Sequence, residues 1–288
     1  MFFQSKTFWL AKDASQAEQY QDAFALDARR GIAAIADGVS SSLFSAPWAK
    51  ILTDAVVAAP PDVHDASSLF PWLAAQRAKW DQEVDTDNLA WHQKAKLQQG
   101  AQSTLLWARV LPPDARDQQC PDLPRLHCFA IGDCLLLHAR GSQMVRAFPI
   151  ESSAAFEENP QVLTSTAGQY DQALAFHRLC DYCEVGDLLI LCTDAIGAWA
   201  IKQLEEGATM LWRDFWDMDQ EDWAAYIGLL REDGRMRYDD ATRVIFRVSP
   251  PPNDAYAKGA QIVDDAKKAI DDVTESISGF FGTFGNKK

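Results

Sequence analysis

Residues 31–42 read GIAAIADGVSSS. The run from Gly31 to Ala36 is short, apolar and partly β-branched, which predicts a buried strand. Asp37-Gly38 ends it, because glycine permits the backbone angles of a tight turn. A carboxylate therefore stands at the mouth of a buried strand, next to an accessible carbonyl. Hard divalent cations bind through oxygens of both kinds. One Asp-Gly alone marks a turn and nothing more.

Three further acidic stretches have the same form. Gly132-Asp133-Cys134 follows the apolar run 128–131, and Thr193-Asp194-Ala195 follows the run 188–192. Asp239-Asp240-Ala241-Thr242 comes just before Arg243-Val244-Ile245-Phe246. Four acidic sites, each at the end of a strand-like run, can converge at one edge of a layered β structure. Carboxylates buried that close repel one another, and cations are the economical way to neutralise them. The pattern predicts a polynuclear metal site.

In order and rough spacing this set resembles the PP2C (PPM) family of metal-dependent protein phosphatases, in its bacterial-type branch. Asp37-Gly38-Val39 resembles the ADGxG motif, and Gly100-Ala101-Gln102-Ser103-Thr104 the glycine-serine-threonine motif. Ile131-Gly132-Asp133 resembles xGDS, Thr193-Asp194 resembles SDG, and Asp239-Asp240-Ala241-Thr242 resembles D[ND]xT. Tyr20-Gln21-Asp22-Ala23 is similar to the amino-terminal acidic motif in its Gln-Asp form. The resemblance runs over roughly residues 8 to 248. It implies an α+β fold, a four-layer α-β-β-α sandwich of two antiparallel sheets flanked by helices.

The resemblance also implies roles. Asp37 would bridge two metals, Mn2+ or Mg2+, with the Gly38 carbonyl completing the second. Asp194 and Asp239 would hold the first, Asp133 would help hold a third, weaker ion, and Asp22 would act through water. Two hard cations lower the pKa of a shared water, which then attacks a phosphoserine or phosphothreonine ester. The protein's task is to fix the metals and align the ester. No Gly-x-Ser-x-Gly or Walker loop offers a rival nucleophile.

Three positions depart from the family. Gln21 stands where the Glu-Asp form has a metal-binding Glu. Ala17 falls at the place of the phosphate-binding Arg, leaving Lys12, Arg29 or Arg30 to replace it in space. Ala195 stands for the usual Gly.

Composition fits one folded catalytic unit: 48% hydrophobic and 24% charged residues are ordinary for a globular chain. The net charge of −14 argues against a nucleic-acid partner. No apolar run reaches the roughly 18 to 20 residues that span a bilayer, and the amino terminus lacks signal-peptide features. The expected location is cytoplasmic. Of the six cysteines, Cys128, Cys134 and Cys192 fall in or beside strand-like runs, where reduced cysteine acts as a small hydrophobe. Cys180-x-x-Cys183 has zinc or redox spacing but lacks a second pair.

Along the chain, residues 7–11 and 23–26 read as strands. A helix is expected from Ser45, with Ser45 cap-like and Pro47 early. Further helical segments are expected at 70–75 and over 101–110, with a strand beginning near Thr104. Strands follow at 126–131, 134–138 and 144–148. Residues 151–185 are less periodic, and 156–160 and 166–168 within them read as loop chemistry, where the family places a mobile flap. Residues 198–204 and 211–230 read as amphipathic helices, with Trp212, Phe215, Trp216 and Trp223 in the core. Residues 1–249 are thus read as the phosphatase domain. Residues 250–288 are read as a proline-led linker and an amphipathic C-terminal helix, which either packs on its own domain or, over residues 260–284, docks a protein partner. The expected substrate is a phosphoprotein, a cognate Ser/Thr kinase or its target. The alternative reading is a catalytically weak scaffold that binds a signalling partner through its tail.

Overall fold

A computed structural model describes residues 2–249, apart from 87–88, 158, 169–170, 172–173 and 211. The linker, helix and docking segment expected beyond Ser249 lie outside the described residues.

The chain opens with β1 (Phe2–Leu10), a 3-10 turn at Ala14–Gln19, and the hairpin β2 (Ala23–Asp27) and β3 (Ile32–Ala36). Three helices follow: α1 (Ser45–Ala58), α2 (Ala66–Glu83) and α3 (Trp91–Leu97). Next come β4 (Gln102–Ser103), β5 (Leu105–Leu111), β6 (Arg125–Ile131), β7 (Leu135–Arg140) and β8 (Gln143–Phe148). After β9 (Leu163–Thr164), β10 (His177–Tyr182) and β11 (Leu188–Cys192) the chain is helical again, in α4 (Asp194–Glu205), α5 (Trp212–Asp217) and α6 (Gln220–Glu232). The strand β12 (Ala241–Ser249) closes the described chain.

Two five-stranded antiparallel sheets result, ordered β1-β12-β11-β7-β8 and β10-β6-β5-β3-β2. The strict alternation of a strand explains how both faces of each sheet are buried. On β3, Ile32, Ala34 and Ala36 pack under α1 and α2 with Trp48, Leu52, Leu69 and Leu73. On β11, Leu188, Ile190 and Cys192 pack under the later helices with Trp199, Trp212 and Trp223. The residues between them, Ala33, Ile35, Leu189 and Leu191, are fully buried where the two sheets face each other. This is the expected α-β-β-α sandwich.

Several local expectations are corrected. Residues 102–103 and 105–111 are strand, not helix, with Leu105–Leu111 paired to β6 and Leu106–Arg109 also to β3. The polar stretch after Ala75 continues α2 instead of ending it. Its buried line Leu69, Leu73, Arg77 and Trp80 needs only one apolar face, and Arg77 stays polar by pairing with Asp171 at 2.7 Å. His177–Tyr182, in the stretch that showed little periodicity, is an edge strand on β6. α4 starts at Asp194, four residues before the expected helix. The helix expected over 211–230 is two helices, because Asp219 caps α6 by accepting the N–H groups of Glu221 and Asp222. Ser45 does not cap α1; that position is held by Phe44 in the left-handed region, φ 59°.

Candidate metal centre

The topology explains why the acidic residues meet. Asp37, Asp133 and Asp194 follow the carboxyl ends of β3, β6 and β11, while Asp22 and Asp239 precede β2 and β12. In antiparallel sheets such ends and starts share one edge. The electrostatics confirm the convergence. Burial pushes the Asp37 carboxyl well above the usual range, and Asp22, Asp194, Asp133 and Asp239 all push it further. Asp22 is raised by burial, then by Asp240 and Asp194. Asp133 is raised to about 6 by burial and by Asp194. Asp194 is raised by burial, against the lowering effect of Arg237.

Asp37 is held from its own backbone. Its N–H donates to Thr104 Oγ1 at 2.9 Å, and its carbonyl accepts the Thr104 N–H and the Ser103 hydroxyl, each at 2.9 Å. That is the part played by the Gly100–Thr104 stretch. Gly38 is glycine because of crowding: a Cβ there would lie 2.6 Å from the Gln21 carbonyl oxygen. Gly132 needs both its positive φ of 93° and its bareness, since a Cβ would meet Thr104 at 2.5 Å. Asp22 Oδ2 accepts the hydroxyls of Thr193 at 3.1 Å and Thr242 at 2.6 Å.

The residues fit a divalent-cation centre on two observations. Asp194 Oδ1 and Gln21 Oε1 are buried oxygens without a hydrogen-bond partner among the described residues. Buried oxygens in native proteins are nearly always satisfied, and hard cations take carboxylate and amide oxygens alike. The five acidic residues do not gather into one tight ligand set. The one group of three His, Cys, Asp or Glu whose ligand atoms lie within 4.8 Å of one another, among the described residues, is His138, Cys183 and Asp187. Asp187 precedes β11 and Asp194 follows it, so that group sits at the opposite end of the strand. Its carboxylate is already engaged by His138, by Arg140 and by the Glu184 N–H. It is a charge hub.

The sequence reading gave two residues no role of their own. Asp240 is buried, and its two oxygens accept the N–H groups of Lys12 and Gln21, both at 2.8 Å. The adjacent acid pair was the only signal. Arg237 lies on the rim, with Nη1 2.7 Å from Asp194 Oδ2. Ala17 is exposed in the 3-10 turn. Of the cations proposed to replace an Arg there, Lys12 reaches Ser40 Oγ at 3.0 Å, beside Asp37-Gly38. Arg29 and Arg30 sit in the β2–β3 turn, at the far end of β2 from Asp22, and Arg30 Nη1 is bound to the Val57 carbonyl. Lys12, Tyr20, Gln21, Ser40, Ser42 and Ser45 line a depression of about 360 Å3 next to the acidic cluster.

All six cysteines are free. Cys180 is exposed on the edge strand and Cys183 is buried, and the two are in no common ligand set among the described residues. No helix among the described residues is long and apolar enough to cross a membrane.

Known proteins agree with this fold. A structure of PppA, described as a key regulatory component of T6SS in Pseudomonas aeruginosa, is 16% identical, with a TM-score of 0.52. It covers 86% of this chain and 98% of its own. The catalytic domain of the serine/threonine protein phosphatase PstP, in complex with 2 manganese ions, is 15% identical at a TM-score of 0.54, over 86% and 99% of the two chains. The Mycobacterium tuberculosis serine/threonine phosphatase PstP/Ppp is 14% identical at 0.53, over 87% and 100%. No curated protein matches the chain in sequence. The sequence model of one family, protein phosphatase 2C, matches residues 12–225. With most of its length matched, the chain belongs to the protein phosphatase 2C family.

Proposed function

We propose that this chain is a metal-dependent serine/threonine protein phosphatase, with residues 1–249 as its catalytic domain. The observation that carries the reading is the shared edge of Asp22, Asp37, Asp133, Asp194 and Asp239, together with the unpartnered Asp194 Oδ1. Asp37, Gly38, Asp194 and Asp239 would hold Mn2+ or Mg2+, with Gln21 Oε1 a neutral addition. The manganese ions of the similar PstP structure support that choice. Bound there, divalent cations lower the pKa of water and neutralise phosphoryl oxygens.

The chain's own residues do the positioning. Thr104 and Ser103 fix Asp37, and Thr193 and Thr242 fix Asp22, which we assign to orient a water of the site. Lys12 stands ready for a phosphoryl oxygen in place of the missing Arg. Asp133 closes the flank beside Asp194. The substrate would be a phosphoprotein, a Ser/Thr kinase or its target, in the cytoplasm.

The test is hydrolysis of p-nitrophenyl phosphate and a phosphothreonine peptide with Mn2+, Mg2+ or EDTA, beside Asp37→Asn. Metal-dependent turnover that the mutant loses is expected. Turnover unchanged in Asp37→Asn would overturn the assignment. Ala17 and Gln21 favour a second reading, a weak scaffold that binds a partner through residues 260–284. Folded, Mn2+-binding protein without turnover is what that reading expects.

A further inference from the structure

Asp194 uses its two carboxylate oxygens differently. Oδ1 is buried and has no hydrogen-bond partner among the described residues. Oδ2 lies 2.7 Å from Nη1 of Arg237. Arg237 comes from the turn before β12, two residues ahead of Asp239, and its Nη2 reaches the Phe156 carbonyl at 3.4 Å. The guanidinium is therefore gripped on two sides, by the first residue of α4 and by the 3-10 turn Ser153–Glu157. Its field also reaches Asp133, where it opposes the effect of Asp194. The positive charge thus stands on the flank that Asp133 and Asp194 share.

A guanidinium differs from a metal ion in one respect that matters here. It is covalently part of the chain and cannot be exchanged or chelated. A divalent cation on the same flank would face a like charge beside the largely buried Asp194, with the Arg237 side chain 39% exposed at the rim. It would also have to take Asp194 Oδ2 from a charge-assisted hydrogen bond. Oδ1 carries no such competitor.

We propose that Arg237 is a built-in cation of this centre. It neutralises the Asp133–Asp194 flank permanently, so that exchangeable divalent ions are confined to Asp37, Asp239, Asp194 Oδ1 and the Gly38–Gln21 side. Asp133 then faces a guanidinium, and the centre takes two ions and no third. This rests on the metal-centre reading above.

The test counts ions without reference to activity. The full chain, stripped with EDTA, is dialysed against a series of Mn2+ concentrations, and bound manganese is measured per chain. Wild type is expected to saturate at two. Arg237→Ala is expected to gain a third ion, bound at least tenfold more weakly, and the double variant with Asp133→Asn to lose it again. In wild type, Asp133→Asn alone is expected to leave the count at two, which tests the idea even if Arg237→Ala does not fold. The proposal is overturned by three ions in wild type, by an unchanged count in folded Arg237→Ala, or by an ion lost in Asp133→Asn alone. A wild type that binds no manganese would overturn the metal centre along with it.

Discussion

Asp240 and Gln21, 219 residues apart in sequence, are joined by a 2.8 Å hydrogen bond from the Gln21 N–H to Asp240 Oδ2. The other oxygen, Oδ1, takes the Lys12 N–H at the same distance. One buried carboxylate thus fixes the end of β1 and the approach to β2, and so the height at which Gln21 and Asp22 meet the metal edge. Asp240→Ala would leave two amide groups unsatisfied, at about 1–3 kcal/mol each. Asp240→Asn keeps one acceptor and turns a donor toward the other N–H. We expect Asp240→Ala to lower the urea midpoint more than Asp240→Asn, and both to weaken Mn2+ binding. A variant as stable as wild type would show that the two loops hold themselves.

Gln21 Oε1 is a buried carbonyl oxygen without a hydrogen-bond partner among the described residues, at a position where a carboxylate would add charge to the centre. Gln21→Glu is expected to raise Mn2+ affinity by roughly tenfold, about 1.4 kcal/mol. The same change adds one more acid to a cluster whose members are already raised by burial and by one another. Metal-free Gln21→Glu should therefore melt below wild type, and the metal-loaded form above it. Thermal unfolding with EDTA and with Mn2+ separates the two effects. Equal shifts of the same sign in both conditions would place Gln21 outside the centre.

The acidic centre was legible because each of its members adjoins a strand, and strand ends are written locally. Asp37, Asp133 and Asp194 follow runs such as IAAIA and LLILC that bury every residue. Elements that depend on distant partners were not legible. β10 reads HRLCDY and buries no residue fully, so no alternation betrays it; pairing with β6 makes it a strand. α2 looks polar after Ala75 because Arg77, a buried position, finds its partner Asp171 in a later loop. Arg237 lies in a charged turn, and only the fold brings it to Asp194. Gln21 and Ala17 were visible as departures, yet the cations near the site could be chosen only in space.

The hub at the other end of β11 predicts how the fold fails in acid. Burial raises the Asp187 carboxyl, but hydrogen bonds from Arg140, His138 and the Glu184 N–H outweigh it and hold the group well below the usual range. A carboxyl depressed in the folded state stabilises the fold fully above its unfolded pKa, about 3.9. The contribution is lost progressively as pH falls below that value. Removing one partner of a buried ion pair costs roughly 3–5 kcal/mol, and Arg140, being 41% exposed, places Asp187→Asn toward the low end. Urea unfolding at pH 7 and pH 3 should show the full deficit for Asp187→Asn at pH 7 and one smaller by about 1 kcal/mol at pH 3, where only the unfolded carboxyl has begun to protonate. A deficit equal at both would mean that packing, not charge, is what Asp187 supplies.

Arg243 is fully buried in the helix-facing layer, and its guanidinium lies 3.9 Å from the Trp223 ring centroid and 4.3 Å from that of Phe8. None of its three nitrogens has a hydrogen-bond partner among the described residues. Burial draws its pKa down to about 9, so the charge persists at neutral pH and is held by aromatic faces alone. Each of its contacts with the three rings, Phe8, Phe215 and Trp223, returns up to about 2 kcal/mol when desolvated, against an effective desolvation cost of several kcal/mol for a buried ion. The two terms nearly cancel, and what remains is shape. Arg243→Met fills the same slot between Phe8, Phe215 and Trp223 without a charge, and is expected within about 1 kcal/mol of wild type or above it. Arg243→Ala empties the slot and should lose roughly 3 kcal/mol, the cost of a large cavity. If Arg243→Met instead fell as far as Arg243→Ala, the cation itself, and not its bulk, would be pinning α5 and α6 to the sheet.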